Sequence, residues 1–417
     1  MSATAFSYVL AAFVVAALAW RTLLAVRQMR HVARHSGRVP DDFAAFISLE
    51  AHRKAADYTL DKQRVGLAET LVIDGMVLLA LTLGGGIAAI DALSQRTFGE
   101  GYARELGTVF GVLLVTTLLA LPFDIWRTFA VESRHGFNRT TPRLFALDLA
   151  KGMLISIVVG TPLLLAVFWL VEAAGPFWWF FTWLAWIAFT VVLVMAFPRW
   201  IAPLFNRFTP LEEGDLRRRI EALIERCGFH AKGLFVMDGS RRSSHGNAYF
   251  TGFGTEKRIV FFDTLITRLT APEIEAVLAH ELGHFAKGHI PRLLAVRFAL
   301  ALLLLAILGW LYREPGFYEA LGLSAPHIGA ALAGFALIVP VFTFPFQPLA
   351  SLIARRQEFE ADAFAAQHAS AADLASALAK LYRDNAATLT PDPLHSLVYD
   401  SHPPAALRID HLRRAAS

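Results

Sequence analysis

Long apolar runs separated by short polar segments dominate the chain. A helix needs about 20 mostly apolar residues to cross a bilayer, and several segments reach that length. They lie near residues 4–26, 68–92, 105–123, 146–172, 177–197, 293–312 and 327–353. The second segment contains Gly84-Gly85-Gly86, which should bend or weaken its helix. The pattern therefore predicts a mostly α-helical, polytopic membrane protein with seven transmembrane helices.

The composition agrees with a membrane protein. Hydrophobic residues make up 55% of the 417 residues and charged residues only 18%, against about 25% charged in an average soluble protein. The net charge of +4 does not indicate nucleic-acid binding, because the basic residues gather in loops between the apolar runs. The single cysteine, Cys227, excludes an intrachain disulfide and a cysteine-based zinc site.

The distribution of Lys and Arg predicts the orientation in the membrane. The loop after the first apolar run is rich in basic residues, namely Arg27, Arg30, Arg34, Arg38, Arg53, Lys54, Lys62 and Arg64. The loop after the third run is also basic, with Arg127, Arg134, Arg139 and Arg143. We expect these loops, the 198–292 segment and the C-terminus in the cytoplasm, and the N-terminus outside. In a bacterium, the membrane would be the inner one.

The polar segment 198–292 reads as a small α+β unit. A helix is expected from Leu216 to Cys227, and short strands are expected at Leu234–Met237, Asn247–Phe253 and Arg258–Phe262. Thr270-Ala-Pro-Glu273 forms a capping box that should begin another helix, ending near Lys287 before Gly288. We predict an N-terminal membrane domain over residues 1–206. A second, α+β domain should occupy residues 207–417, interleaved with the last two spans.

The capped helix carries His280-Glu281-Leu282-Gly283-His284. Histidines four residues apart lie on one helix face, so both imidazoles can reach a single zinc ion. Glu281 borders that face and can take a proton from a water molecule that the metal polarises. The motif is short and also arises by chance, so an ordinary surface helix with two histidines is the alternative.

A second polar segment, Glu358-Phe359-Glu360-Ala361-Asp362, follows the seventh run. In a continuous helix Glu358 and Asp362 share a face, whereas Glu360 points roughly the opposite way. Glu358 suits a third metal ligand, and Asp362 suits a carboxylate that orients a ligating histidine. The alternative is a solvated acidic turn. His289 lies past Gly288 and off the ligand face, so we expect it at the membrane surface.

These motifs together resemble the integral-membrane CAAX prenyl proteases of the zinc-dependent type. The resemblance includes the seven spans, the zinc motif between the fifth and sixth, and the acidic motif after the seventh. It also includes Asn247-Ala-Tyr-Phe-Thr-Gly, Ser401-His402-Pro403-Pro404 and Arg408. The order and spacing of these motifs make the resemblance far more specific than the zinc motif alone.

The resemblance implies a role for each matching residue. It implies one zinc ion per chain bound by His280, His284 and Glu358, with Glu281 as the general base. Asn247 would contact the substrate backbone and His402 would stabilise the tetrahedral intermediate. It further implies that residues 207–417 form a gluzincin-like α+β zinc peptidase domain. The helices would enclose a chamber in which prenylated C-terminal peptides are cleaved. Arg408 would pair with an acidic residue beside the ligands.

Three other functions remain open at the level of sequence. A quality-control protease could use the same zinc site on unprenylated membrane-associated peptides. A transporter with an incidental zinc motif would need ionisable residues in its spans, for which Asp74 and Asp148 are the main candidates. An intramembrane-cleaving protease would need its motif inside a span. Glu273, Glu275 and Lys287 flank the motif closely and favour a membrane-surface site.

Overall fold

Long apolar helices form the first half of the molecule. A computed structural model gives the structure of residues 2–229, 233–251 and 258–416. The helices of the first half are α1 (Ala3–His35), α2 (Leu49–Glu69), α3 (Leu78–Leu81), α4 (Gly86–Phe98), α5 (Tyr102–Ile125), α6 (Pro142–Ala173) and α7 (Trp178–Ala196). Stretches of π-helix continue α2, α5 and α7 at Thr70–Val77, Trp126–Glu132 and Phe197–Ile201.

The second half combines short helices, a small sheet and two further long apolar segments. The part before the first of these segments contains the strands and the helices α8 (Ala202–Phe205), α9 (Asp215–Arg226), α10 (Asp263–Ile266) and α11 (Ala271–Ala286). The remaining helices are α12 (His289–Leu311), α13 (Pro315–Ala320), α14 (Ile328–Thr343), α15 (Gln347–His368), α16 (Ala371–Asp384), α17 (Pro393–Tyr399) and α18 (Ala405–Ala416).

The long helices confirm a multi-span membrane protein. Within the described residues, six continuous helical segments are long and apolar enough to cross a bilayer, and the bent pair Leu49–Leu81 and Gly86–Phe98 makes a seventh if it counts as one span. The bend between them is 59° and falls at the predicted glycine cluster. Gly85 has a φ of 76°, a left-handed conformation that costs glycine little and other residues more.

The polar segment between α7 and α12 contains a four-stranded mixed sheet. Its strands are β1 (Phe208–Pro210), β2 (Gly233–Met237), β3 (Ala248–Thr251) and β4 (Arg258–Phe262), in the order β1-β2-β4-β3. β2 and β4 are parallel and the other pairs are antiparallel. The sequence predicted β2 to β4 but not β1. Residues 252 and 253 of the predicted strand Asn247–Phe253 lie outside the described residues.

Helix α11 lies at the centre of the second half and is capped as predicted. Thr270 and Glu273 form the reciprocal capping box, and Lys287 ends the helix before Gly288. Ile274, Leu278 and Leu282 are all buried, in a core shared with α9, α16 and the sheet. The opposite face of α11 is therefore available for polar side chains that face α15.

Both acidic residues considered for a transporter are paired with arginines. Between α1 and the π-helical stretch Thr70–Val77, Arg21 Nη1 lies 2.6 Å from Asp74 Oδ2. The Asp148 carboxylate of α6 accepts two hydrogen bonds from Arg242, at 2.8 and 3.0 Å. Arg242 also donates to Asn206 Oδ1 at 2.8 Å. Asp148 thus ties a membrane helix to the segment that precedes β3.

An apolar cavity lies among the membrane helices. Its volume is about 550 Å³, and Thr116 and Thr182 are the polar residues among its lining. Side chains of α5, α6, α7, α12 and α14 form the rest of the wall, and Trp186 and Phe335 are the aromatic residues there. Its volume is in the range of cavities that bind small apolar ligands.

Candidate metal centre

Three ligand-type side chains from two helices converge on one point. His280 Nε2 and His284 Nε2, both on α11, lie 3.2 Å apart. From α15, Glu358 places Oε2 3.5 Å from His280 Nε2 and Oε1 3.3 Å from His284 Nε2. His280 and Glu358 are buried, and His284 is half-buried. Among the described residues this trio has a geometry that could hold a metal ion.

A glycine allows the two helices to approach this closely. A Cβ atom at Gly283 would lie 2.9 Å from Ala361 Cα and 3.1 Å from the Ala361 carbonyl oxygen. Real side chains do not tolerate such contacts with a backbone, so α11 and α15 could not pack at this distance with a larger residue. Gly283 sits between the two histidines, and Ala361 sits between Glu358 and Asp362. The helices therefore make their closest contact at the level of the ligands.

Asp362 and Arg408 form a buried layer behind the ligands. Asp362 Oδ1 lies 2.8 Å from His280 Nδ1 and accepts a hydrogen bond from Arg408 Nη2 at 2.6 Å. Arg408 Nε donates to the other carboxylate oxygen at 2.9 Å. Asp362 has no solvent exposure, and the side chain of Arg408 is 5% exposed. The pairing of Arg408 with an acidic residue is thus present, through Asp362.

The lone pairs of His280 Nε2 and Glu358 Oε2 point toward the same place. When His280 Nδ1 donates its proton to Asp362, its Nε2 carries only a lone pair. Glu358 Oε2 is buried and accepts no hydrogen bond, and its charged neighbour is Arg408, whose Nη1 lies 3.3 Å away. Burial lowers the pKa of His284, but the hydrogen bond and negative charge of Glu358 outweigh burial and raise that pKa. A cation at the meeting point would satisfy all these atoms.

His289 and Glu360 belong to the same site, contrary to the sequence interpretation. His289 is 3% exposed, so its predicted place at the membrane surface is wrong. Its Nδ1 lies 2.9 Å from His284 Nδ1, and its Nε2 lies 2.9 Å from Glu360 Oε2. The reason is the left-handed turn at Gly288, with a φ of 68°. That turn redirects the chain into α12 and brings His289 back against His284.

Glu281 and His402 lie beside the three converging side chains. Burial raises the pKa of the Glu281 carboxyl, although the nearby His280 and His284 lower it. His402 follows α17, and its Nε2 lies 3.5 Å from Glu358 Oε1. Its side chain remains 60% exposed, so it is open to an incoming molecule. Both residues are therefore placed where the sequence predicted chemistry.

Asn247 lies apart from this group, at the start of β3. Its side chain is exposed, and its Oδ1 accepts a hydrogen bond from the following amide, Ala248 N, at 2.8 Å. β3 is a terminal strand of the sheet and passes beside α11, where the rings of Phe250 and Phe285 lie 5.0 Å apart. The strand that Asn247 begins thus runs next to the helix that carries the histidines.

The segment before Asn247 is held by contacts that sequence reasoning did not identify. Glu132 accepts a hydrogen bond from Tyr58 at 2.5 Å and lies 3.4 Å from His245 Nε2. Asn385, at the end of α16, accepts a hydrogen bond from the Gly246 amide at 3.2 Å. These residues lie far apart in the sequence, between positions 58 and 385, and no local pattern links them.

Two family descriptions cover nearly the whole chain. Residues 28–207 match the CAAX prenyl protease N-terminal region of five membrane helices. Residues 210–416 match peptidase family M48. The boundary between the two matches falls just before β1.

Individual relatives match over their full lengths. A protein named CAAX prenyl protease 1 homolog from Arabidopsis thaliana is 35% identical, over 95% of this chain and 95% of its own. The Homo sapiens protein of the same name is 32% identical, over 94% of this chain and 92% of its own. The crystal structure of S. mikatae Ste24p superimposes with a TM-score of 0.90 at 29% identity, covering 97% of this chain and 98% of that one. The chain therefore belongs to the integral-membrane CAAX prenyl protease family within peptidase family M48, and it is a membrane metallopeptidase.

Proposed function

We propose that this chain is a zinc endopeptidase that holds one zinc ion through His280, His284 and Glu358. The convergence of these three side chains carries the proposal. Two atoms that each lie about 2.0–2.1 Å from one zinc ion in tetrahedral geometry are roughly 3.3 Å apart. The two imidazole Nε2 atoms are 3.2 Å apart, and the Glu358 carboxylate approaches His284 Nε2 with Oε1 at 3.3 Å and His280 Nε2 with Oε2 at 3.5 Å. Two imidazoles and one carboxylate are also the ligand set of zinc peptidases that keep a fourth position open.

The bound zinc ion would polarise the carbonyl group of the scissile peptide bond and increase the acidity of a water molecule. Glu281 acts as the general base, taking a proton from that water and delivering it to the leaving amine. Its place next to His280 puts its carboxylate at the border of the ligand face. A base in this position contributes on the order of 10²–10⁴ in rate.

His402 and the Asp362–Arg408 pair also assist the reaction. His402 donates an imidazole N–H to the oxygen of the scissile carbonyl as negative charge develops there. Its contact distance to Glu358 and its exposed side chain support this role. Asp362 fixes His280 in the tautomer that leaves Nε2 bare, and Arg408 holds Asp362 in place.

An extended peptide is expected to bind along β3. A terminal strand offers unpaired backbone N–H and C=O groups, to which a peptide can add as a further strand. Asn247 begins this strand and has an exposed side chain, so it is placed to contact the peptide backbone. β3 runs beside α11, and a peptide paired with it would pass the histidines.

For the substrate, we propose the C-terminal region of prenylated or similar membrane-associated peptides. The relatives carry the name CAAX prenyl protease. The apolar cavity of about 550 Å³ among the membrane helices offers a place for an isoprenoid chain, which would be costly to leave in water. The membrane spans themselves would bring lipid-anchored substrates to the enzyme.

The orientation follows from the same charge bias that the sequence shows. We propose that the N-terminus lies outside and that the metal site faces the cytoplasm, with a membrane domain over residues 1–206 and a peptidase domain over 207–417. The basic residues at the end of α1, within α2 and before α6 support this orientation. A reporter enzyme that works only in the cytoplasm should be active when it is fused after Ser417. Activity, at the same fusion point, of a reporter that works only outside the cytoplasm would reverse the proposed orientation.

The substrate proposal is tested with two matched peptides. The same C-terminal sequence is prepared with and without a prenyl group on its cysteine, and cleavage by the purified enzyme in detergent is followed by mass spectrometry. We expect metal-dependent cleavage of the prenylated peptide, with a chelator abolishing it and zinc restoring it. Glu281→Gln should retain zinc and fold while losing about 10²–10⁴ in rate.

Each outcome assigns the function differently. Equal cleavage of both peptides would favour a broad-specificity quality-control protease with the same zinc chemistry. Normal cleavage by Glu281→Gln would remove that residue from the mechanism. No cleavage of either peptide by zinc-loaded enzyme would reject the proposed substrate class.

A further inference from the structure

One face of α15 carries a row of four polar residues. Ser351, Arg355, Glu358 and Asp362 follow at spacings of four, three and four, which places them on a single face of the helix. Glu358 and Asp362 serve the metal site described above. Ser351 and Arg355 lie about two turns and one turn before Glu358, and they contact a different element, the end of α17.

Arg355 holds the C-terminal end of α17. Its Nη1 lies within hydrogen-bond distance of three carbonyl oxygens there, at 3.2 Å for Ser396, 3.3 Å for Leu397 and 2.8 Å for Asp400. The last carbonyl groups of a helix have no partner within it and carry partial negative charge. The guanidinium group of arginine is always positively charged, so its Nη1 is a suitable donor to these carbonyl oxygens.

Ser351 reinforces the same contact. Its hydroxyl donates to the Val398 carbonyl oxygen at 2.8 Å, and it is 3% exposed. The end of α17 is therefore fixed to α15 at two points on the face that carries Glu358. This attachment sets the place at which the chain leaves α17.

His402 depends on this attachment for its position. It lies two residues beyond Asp400, and its own side chain is 60% exposed, so packing around the imidazole does not hold it. Its contact within the loop is with the neighbouring Ser401 hydroxyl, 3.0 Å from Nδ1. The anchoring of α17 on α15 thus fixes the backbone two residues before His402, whose Nε2 lies 3.5 Å from Glu358 Oε1.

We infer that Arg355 is a positioning residue that sets His402 against the metal site. The inference rests on the proposed role of His402 in the reaction. A misplacement of about 1 Å at a reacting group can lower a rate by about 10²-fold. Releasing the end of α17 should therefore lower kcat through His402, while substrate pairing with β3 and metal binding by α11 and α15 continue.

A double-mutant cycle with His402 tests this inference. The kcat, the KM and the zinc content are measured for wild type, Arg355→Ala, His402→Ala and the double variant. We expect Arg355→Ala to lower kcat by at least about tenfold, with KM within about threefold and zinc unchanged. In the His402→Ala background, the same substitution should cost less than about twofold. Arg355→Lys, which keeps the positive charge, should recover part of kcat if the alanine variant folds poorly.

Arg356→Ala is the matched control, since it removes a neighbouring arginine with an exposed side chain. It should leave kcat within about twofold of wild type. An equal loss of kcat from Arg355→Ala in both backgrounds would show a general structural role and overturn the inference alone. A normal kcat in His402→Ala, with zinc bound, would instead overturn the proposed role of His402 and the inference with it. Normal kcat in Arg355→Ala would overturn the inference and leave His402 in place.

Discussion

Oδ1 of Asp362 lies 2.8 Å from Nδ1 of His280, and the carboxylate is fully buried. The contact decides which ring nitrogen of His280 keeps its proton, because the carboxylate can only accept. Nε2 is then free to bind a metal ion. Arg408 neutralises the buried carboxylate, with Nη2 2.6 Å from the same Oδ1.

Asp362→Asn should weaken metal binding. The amide carries no charge, and its NH₂ group would face either His280 or Arg408, both of which act as donors here. Loss of such a carboxylate behind a ligating histidine typically lowers metal affinity about 10–100-fold. The zinc dissociation constant, measured by competition with a chelator, checks this. Asp410→Asn, which changes an exposed carboxylate on α18, should have no effect, and an unchanged constant in Asp362→Asn would contradict the account.

His289→Phe should also lower zinc affinity. A phenyl ring fills the same buried space but cannot accept the proton of His284 Nδ1, so His284 loses the partner that fixes its tautomer. We expect a decrease of about 10–100-fold, with the helical circular dichroism retained. His368→Phe on α15 is a suitable control, because His368 Nδ1 contacts only the carbonyl oxygen of Phe364 in its own helix. If both variants bind zinc equally well, His289 has no role in the site.

Gly283→Ala should separate α11 from α15. The added methyl group would meet the backbone of Ala361 at 2.9 Å, and overpacking of this kind costs about 1–3 kcal/mol. We expect a lower melting temperature in detergent together with weaker zinc binding. Gly66→Ala is the control, since a Cβ atom there meets nothing within 4 Å. Alanine at that position in α2 should be neutral or slightly stabilising, and equal melting temperatures for the two variants would count against close helix packing at the ligands.

Glu273→Gln should reduce stability in a pH-dependent way. Burial raises the pKa of Glu273, but hydrogen bonds from Lys380, Ser376 and the Thr270 amide outweigh burial and lower it. A depressed folded-state pKa stabilises the protein above the ordinary glutamate value, and that stabilisation is lost as the pH falls through the folded value.

The melting temperatures of wild type and Glu273→Gln should therefore differ by a constant amount at neutral pH. The difference should begin to shrink below about pH 4.3, the ordinary pKa of glutamate. Thermal unfolding across a pH series measures this difference. A difference that grows in acid would mean that the pKa of Glu273 is raised rather than lowered.

The sequence predicted the elements whose signals are local. The capping box at Thr270 predicted the start of α11, and the three consecutive glycines predicted the bend in the second span. The distance of four residues between His280 and His284 predicted their shared face. Each signal lies within one or two turns of chain, where helix geometry alone decides the outcome.

The features that were missed depend on contacts between distant segments. β1 has only three residues, one of them Pro210, so it shows no alternating pattern. His289 was misplaced because a helix-face argument does not hold across the left-handed turn at Gly288. Glu360, assigned to the far side of its helix, contacts His289 from there, and only the three-dimensional path of α12 reveals this.

The metal content of Glu358→Ala tests the central claim most directly. Purified protein is analysed for zinc by elemental analysis, alongside wild type and Glu225→Ala, which removes an exposed glutamate from α9. We predict about one zinc ion per chain in wild type and Glu225→Ala, and a large loss in Glu358→Ala with its helical content unchanged. Stoichiometric zinc in Glu358→Ala, or none in well-folded wild type, would contradict a zinc site built from His280, His284 and Glu358.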